Sequence, residues 1–258
     1  MRPGRLRAGR LVPALLAGLM FGLCFLAAPP GSLAQLPMAA PFLPPGPGHP
    51  FGTDDLGRDM LKAVLQAGRT TVMVAGPATA LALALGLLAG LAAALGGRLA
   101  DEVLMRLADI TAGLPTLLVA ILVVALFGGS TGAVVLVIGL TRWPMVARLV
   151  RVEVMALRHA EFIRAAEALG LSRPAIARRH MLPNIAAQAA TATGILFGGA
   201  MVAEAALAFV GLGDPQATSW GQLLASGFAF ADRAWWVWGI PAAGMALAAA
   251  LIAMAAQD

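Results

Sequence analysis

The chain is short of almost everything that aqueous chemistry uses. Its one cysteine, Cys24, allows neither an internal disulfide nor a thiolate metal cluster. Its one lysine, Lys62, sits in Asp59-Met60-Leu61-Lys62, with no glycine-rich phosphate cradle around it. That excludes an ATPase of the phosphate-loop kind. The three histidines, His49, His159 and His180, show no metalloprotease spacing, and no Gly-x-Ser-x-Gly nucleophile elbow occurs. No catalytic constellation is left, so the chain is expected not to be an enzyme and to hold no metal. Charge is scarce as well: 12% of the 258 residues are charged and 60% are hydrophobic, with mean hydropathy +0.84. A soluble domain carries about 25% charged residues, so this chain is read as embedded in lipid. Its pI near 11.1 follows from arginines beside membrane spans, which set orientation. Nucleic acid is not an expected partner.

A span needs roughly 20 apolar residues. Six runs are read as spans: residues 11–28, 71–95 (with Pro77 inside), 110–127, 133–146, 185–210 and 235–255. The fourth is short, and Arg142 and Pro144 interrupt its end. The predicted architecture is an all-α membrane protein of six transmembrane helices. Residues 1–70 form an N-terminal span and a Pro-rich extracytoplasmic segment, and residues 71–258 form a five-span core with a polar loop at 142–184. With both termini cytoplasmic, fourteen basic residues lie inside and four outside, the sense that the positive-inside rule requires. Arg2, Arg5, Arg7 and Arg10 before the first run, with Ser32-Leu33-Ala34 after it, also fit a secretory signal. The run is longer than a signal core of about 7–15 residues, so a retained span is the reading taken.

Residues 161–183 are the most informative stretch. Phe162, Ala165, Ala166 and Leu169 recur at helical spacing on one face, with Glu161, Arg164 and Glu167 elsewhere around the helix. Gly170 follows as a helix-ending glycine. Ser172 can cap a second short helix with Pro174 in its first turn, Arg178 and Arg179 suit that helix's last turn, and Pro183 breaks the chain before the fifth span. The result is a helix–glycine–helix unit across the inner membrane face. Amphipathicity alone fits two roles equally: docking another protein, or resting on anionic headgroups.

Acids inside the spans are few. Glu204 is the clearest, and Asp109 begins the third run. A proton-coupled carrier would place several such groups near mid-membrane. Glu204 is instead expected at the pathway or its outer mouth, satisfied by a neighbouring helix or by water. Gly52-Thr53-Asp54 and Leu56-Gly57-Arg58 read as turns; in a plain loop their acids, with Asp55 and Asp59, would be solvated. Trp235, Trp236 and Trp238 read as anchors at the outer interface.

The spacing of Ala165-Ala166, Gly170 and Leu182-Pro183 resembles the docking loop of permease subunits from bacterial ABC importers. Further segments resemble the dipeptide, oligopeptide and nickel subfamily: His49-Pro50-Phe51-Gly52-Thr53-Asp54-Asp55-Leu56-Gly57-Arg58-Asp59, Trp143 with Ala147-Arg148 and Arg151, His180-Met181-Leu182-Pro183-Asn184, the run from Glu204 to Gly213, and Trp220-Gly221. Together they cover most of residues 49–221 and look most like the second of the two permeases such importers use.

The resemblance implies a type I importer permease fold with a cytoplasmic coupling helix between spans 4 and 5. Glu161, Phe162, Arg164, Ala165, Ala166, Glu167, Leu169, Gly170, His180, Leu182 and Pro183 would then meet an ATPase subunit. Gly52, Thr53, Asp54, Asp55, Gly57, Arg58 and Asp59 would form a shoulder facing an extracytoplasmic binding protein. Implied partners are a second homologous permease, two ATPase subunits, the binding protein and membrane lipid, in a bacterial inner membrane. No cofactor would bind this chain, ATP and Mg²⁺ belonging to the ATPases. Cargo would be a short peptide, or else nickel or another metal chelate; the wall offers no cysteine or histidine cluster. Two departures stand out. Arg164 replaces the family's usual glutamate, for which Glu161 or Glu167 could compensate, and the chain stops at Gln257-Asp258 without the family's polar tail. The rivals are an ion-coupled secondary carrier, which would need coupling groups and internal repeats, and a membrane scaffold.

Overall fold

A computed structural model of the protein describes residues 5–26 and 38–256. The Ser32-Leu33-Ala34 site and Gln257-Asp258 lie outside the described residues. The described chain is helical, with no strand beyond three isolated bridges. In order it forms α1 (Arg5–Leu26), α2 (Met60–Leu95), α3 (Arg98–Gly113), α4 (Thr116–Phe127), α5 (Thr131–Leu157), α6 (Glu161–Ala168), α7 (Arg173–Ile176), a π-helical turn (Ala177–Met181), α8 (Leu182–Phe209), α9 (Trp220–Phe228) and α10 (Trp235–Ala256). Four of these, α2, α5, α8 and α10, are long and apolar enough to cross a membrane, and the bent pair α3–α4 makes a fifth if taken as one span. The first expected span is α1, whose apolar part, Leu11–Leu26, is shorter; it packs on α10 and α2.

The centre is the α2–α5 pair. Gly86 and Gly90 of α2 lie against Val146 and Val150 of α5, and a Cβ at Gly90 would stand 2.6 Å from the Ala147 carbonyl. Lipid tails are as apolar as leucine, so spans associate through close backbone approach at small residues. Gly90→Leu is therefore expected to pry α2 from α5 and to cut the amount of folded protein recovered from membranes. Full recovery and unchanged melting in detergent would contradict this packing.

Three expectations about helix ends need correction. The second span begins at Met60, so a division at residue 70 falls inside α2; Asp59 caps it, its Oδ1 accepting from the Lys62 N–H at 3.1 Å. The third run is not one rod, because α3 and α4 meet at 85°. Pro115 drives the break: Leu114 before it is extended (φ −79°, ψ 124°), as a residue preceding proline prefers. An apolar hollow of about 460 Å³ opens at this bend, lined by Leu107, Leu114, Leu140 and Trp143 among others. Finally, Arg142 and Pro144 do not end the fourth span, since α5 runs through both to Leu157. Membrane helices carry a proline where local adjustments satisfy the backbone groups it frees. Helix α9 was not anticipated.

Candidate functional site

The loop after α5 is a folded unit seated on the ends of the spans. Arg158 Nη1 donates to the Ala94 carbonyl at 2.9 Å, tying the end of α5 to the end of α2. Helix α6 follows, with Ile163 and Ala166 buried in a cluster that includes Val150 and Val154 of α5, Ile176, Met181 and Ile185. That corrects the expected face. Ala166 belongs to the inward side with Ile163, three residues away, whereas Phe162 (44% exposed), Ala165 and Leu169 (80% exposed) point outward. An apolar stripe thus lies open on a helix whose opposite side is fixed to the spans. Glu161 and Arg164 are exposed beside it; the side chain of Glu167, like those of Arg173 and Pro174, lies outside the described ones.

Gly170 ends α6 at φ +80°. The Leu171 N–H reaches back to the Ala166 carbonyl at 3.1 Å and the Leu169 N–H bonds Ala165 O at 3.0 Å. This is the Schellman ending that glycine at a left-handed position permits, with Leu171 packed back on the cluster. The second short helix does not stand apart, and Pro183 does not break the chain. Helix α7 flows through the π-helical turn into α8, with Pro183 in the first turn of α8. A proline ring clashes with the carbonyl four residues back, and a widened turn there relieves that clash. Asn184 Nδ2 donates to the His180 carbonyl at 2.6 Å, and the His180 ring lies 6.5 Å from that of Phe162. Leu182 is half-buried on the same cluster. The seat itself, Ile163, Ile176 and Met181, was missed in the sequence, although the 163/166 pair has helical spacing.

The segment before α2 is a knot of turns. Asp54 is buried, its Oδ2 accepting from Arg58 Nε at 2.5 Å and its Oδ1 from the Leu56 and Arg58 backbone N–H groups at 2.9 and 2.8 Å. Thr53 Oγ1 donates to the Ala40 carbonyl and accepts from the Leu43 N–H, both at 2.8 Å. Asp59 Oδ2 lies 2.8 Å from His49 Nδ1. Asp54 and Asp59 are therefore not solvated, because their partners are the turn's own backbone and neighbours; Asp55 is half-exposed. Gly52 and Gly57 both have positive φ (+73° and +75°), and a Cβ on Gly57 would collide with the Ala39 carbonyl. Gly57→Val is expected to open this knot and expose residues 38–59 to protease added on that side. Unchanged protection would contradict it. Trp236 also departs from its expected role. It is buried and donates from Nε1 to the Thr53 carbonyl at 3.0 Å, clamping the knot to α10, whereas Trp235 is exposed as an interfacial anchor would be.

Glu204 is enclosed and not open to an outer mouth. It is 4% exposed, lying between Thr71 of α2, whose Oγ1 stands 3.5 Å from Oε2, and Ser219 at the start of α9. The Trp220 N–H donates to Thr71 Oγ1 at 3.2 Å. A carboxylate beside a helix N-terminus is favourably placed, and Ser219 closes that terminus with Gln222 in a capping box. Glu204 therefore joins α2, α8 and α9. Asp214, in the turn between α8 and α9, accepts from Thr131 Oγ1 (2.7 Å) and from the Thr131 N–H (2.9 Å) at the head of α5. Burial pushes its carboxyl up, but these bonds and one from the Gln216 N–H hold it below the usual carboxylate range. Among the described residues no group of three or more histidine, cysteine, aspartate or glutamate side chains gathers to hold a metal.

Residues 51–257 match the family of binding-protein-dependent transport system inner membrane components. A Brucella suis protein whose name describes a peptide permease is 33% identical over 203 residues, covering 78% of this chain and 67% of that protein. DdpC of Escherichia coli, named for a D,D-dipeptide transport system, is 32% identical over 214 residues, covering 82% of this chain and 72% of its own length. Among solved structures, a chain of the MetNI methionine ABC transporter in inward-facing conformations superposes with TM-score 0.63 at 17% identity. The match covers 76% of this chain and 94% of that one, a likeness of fold.

Proposed function

Since this chain belongs to the family of binding-protein-dependent transport system inner membrane components, we propose that it imports short peptides as one of two permeases, driven by ATPase subunits docked on residues 161–183. It is a multi-pass membrane permease with the fold of an ABC importer subunit. The observation that carries the coupling role is the open stripe of Phe162, Ala165 and Leu169 on a helix clamped by Ile163 and Ala166 to the ends of α2, α5 and α8. Interiors are close-packed and transmit displacement, so a partner gripping the stripe moves the spans. Amphipathicity alone left lipid and protein equal; the clamped seat favours a mechanical role over a helix floating on headgroups.

The peptide cargo is inferred from the names of the relatives, with nickel or a metal chelate as the alternative. The chain is the non-catalytic part, ATP and Mg²⁺ belonging to the ATPases. The termini and the 161–183 loop face the cytoplasm, as the basic residues indicate, and the 38–59 knot faces the binding protein. The test is reconstitution with a second permease, ATPases and binding protein. Uptake is expected to require ATP and every partner. Uptake by the purified chain alone down an ion gradient would make it a secondary carrier.

A further inference from the structure

We propose that Arg142 is an anion-binding group of the translocation pathway, holding the terminal carboxylate of a peptide in transit. This rests on the peptide-import reading and adds a residue to it. Helix α5 continues unbroken past Arg142, which stands about 16 Å from the helix's Thr131 end at about 1.5 Å per residue. That is within a hydrocarbon layer about 30 Å thick, where a charged side chain is costly. The side chain is half-buried against α8, where a Cβ on Gly199 would lie 3.6 Å from Nη1. The guanidinium thus lies beside the side-chain-free position Gly199 of α8.

The other arginines of α5 are engaged. Arg148 pairs with Asp109 at 2.8 Å, Arg151 with Asp101, and Arg158 with the Ala94 carbonyl. Among the described residues no carboxylate or carbonyl bonds Arg142. Glu204, on the same stretch of α8, is taken by Thr71 and Ser219. A charge at this depth faces a water-filled space or an opposite charge, and a planar guanidinium fork matches a carboxylate. Every linear peptide with a free C-terminus brings one.

Two arms test this on the complete reconstituted transporter. In the first, Arg142→Gln is expected to lower dialanine uptake about ten- to a hundredfold, the worth of a hydrogen bond to a charged group. ATP hydrolysis stimulated by the binding protein persists, and Arg142→Lys keeps more uptake than Arg142→Gln. In the second, Arg142→Cys in a Cys24→Ser background is labelled by a water-soluble sulfonated thiol reagent. Unchanged uptake in Arg142→Gln, or no labelling in any nucleotide state, overturns the proposal. So does loss of the second permease from the Arg142→Gln complex, which would make the arginine an interface ion pair. If the wild-type transporter moves no dialanine, the peptide reading fails, and the labelling arm still decides whether Arg142 lines the pathway.

Discussion

Aspartate at both Phe162 and Leu169 is expected to abolish ATP-driven uptake and release the ATPase subunits, while the permease stays folded in the membrane. The two side chains are 44% and 80% exposed, so the chain gains little from them by itself. In a partner's cleft each would bury apolar surface worth about 1.5–3 kcal/mol. Losing both corresponds to roughly two to four powers of ten in affinity, before the cost of burying two carboxylates. Ile163→Asp is the control. That side chain is fully buried on the spans, so its replacement should lower the yield of folded permease. The prediction is read by co-purification of the ATPases with the permease. Undiminished co-purification of the double variant would show that the stripe is not the docking surface.

Gly170→Val is expected to give the second largest effect, and of a different kind: ATP is still hydrolysed, but uptake falls at least tenfold. No atom lies within 4 Å of the position a Cβ would take, so the whole effect comes through the backbone at φ +80°. A left-handed residue with a Cβ costs roughly 1–2 kcal/mol, and a β-branched one is a genuine outlier there. The chain relieves this by giving up the bond from the Leu171 N–H to Ala166 O. The end of α6 that carries Leu169 then loosens from its seat on Ile176 and Met181. Gly170→Asn should keep most uptake, since asparagine visits this region. The readout is ATP consumed per peptide moved. An unchanged ratio in Gly170→Val would contradict a rigid lever.

What could be read from the sequence was local. Helix α6, its glycine ending and the apolar runs follow from residues a few positions apart, and the structure keeps them. The misreadings fall where partners are distant or where lipid changes the rules. Glu204 is satisfied by neighbouring helices, as expected, but it is enclosed by Thr71 and Ser219, and Trp236 clamps Thr53; neither set of partners leaves a mark in any window of sequence. Pro144 and Pro183 would break a helix in water, but membrane helices carry proline when nearby groups adjust. Pro115 did break its run, because Leu114 is free to be extended. Helix α9, nine residues between two spans, is marked in the sequence only by its Ser219–Gln222 capping box. In a plain loop Asp54 would be solvated; its partner, Arg58, lies in the same tight turn and reaches it only once that turn closes.

The central claim, that force enters through α6, is tested most directly by a single thiol at its exposed end. In a Cys24→Ser background, Leu169→Cys in the assembled transporter is joined by a short thiol crosslinker to cysteines placed around the cleft of the ATPase subunit. A permease–ATPase adduct whose yield changes on adding ATP is the predicted result. No adduct at any cleft position, with the thiol labelled by a membrane-impermeant reagent from the side where the binding protein acts, would contradict it.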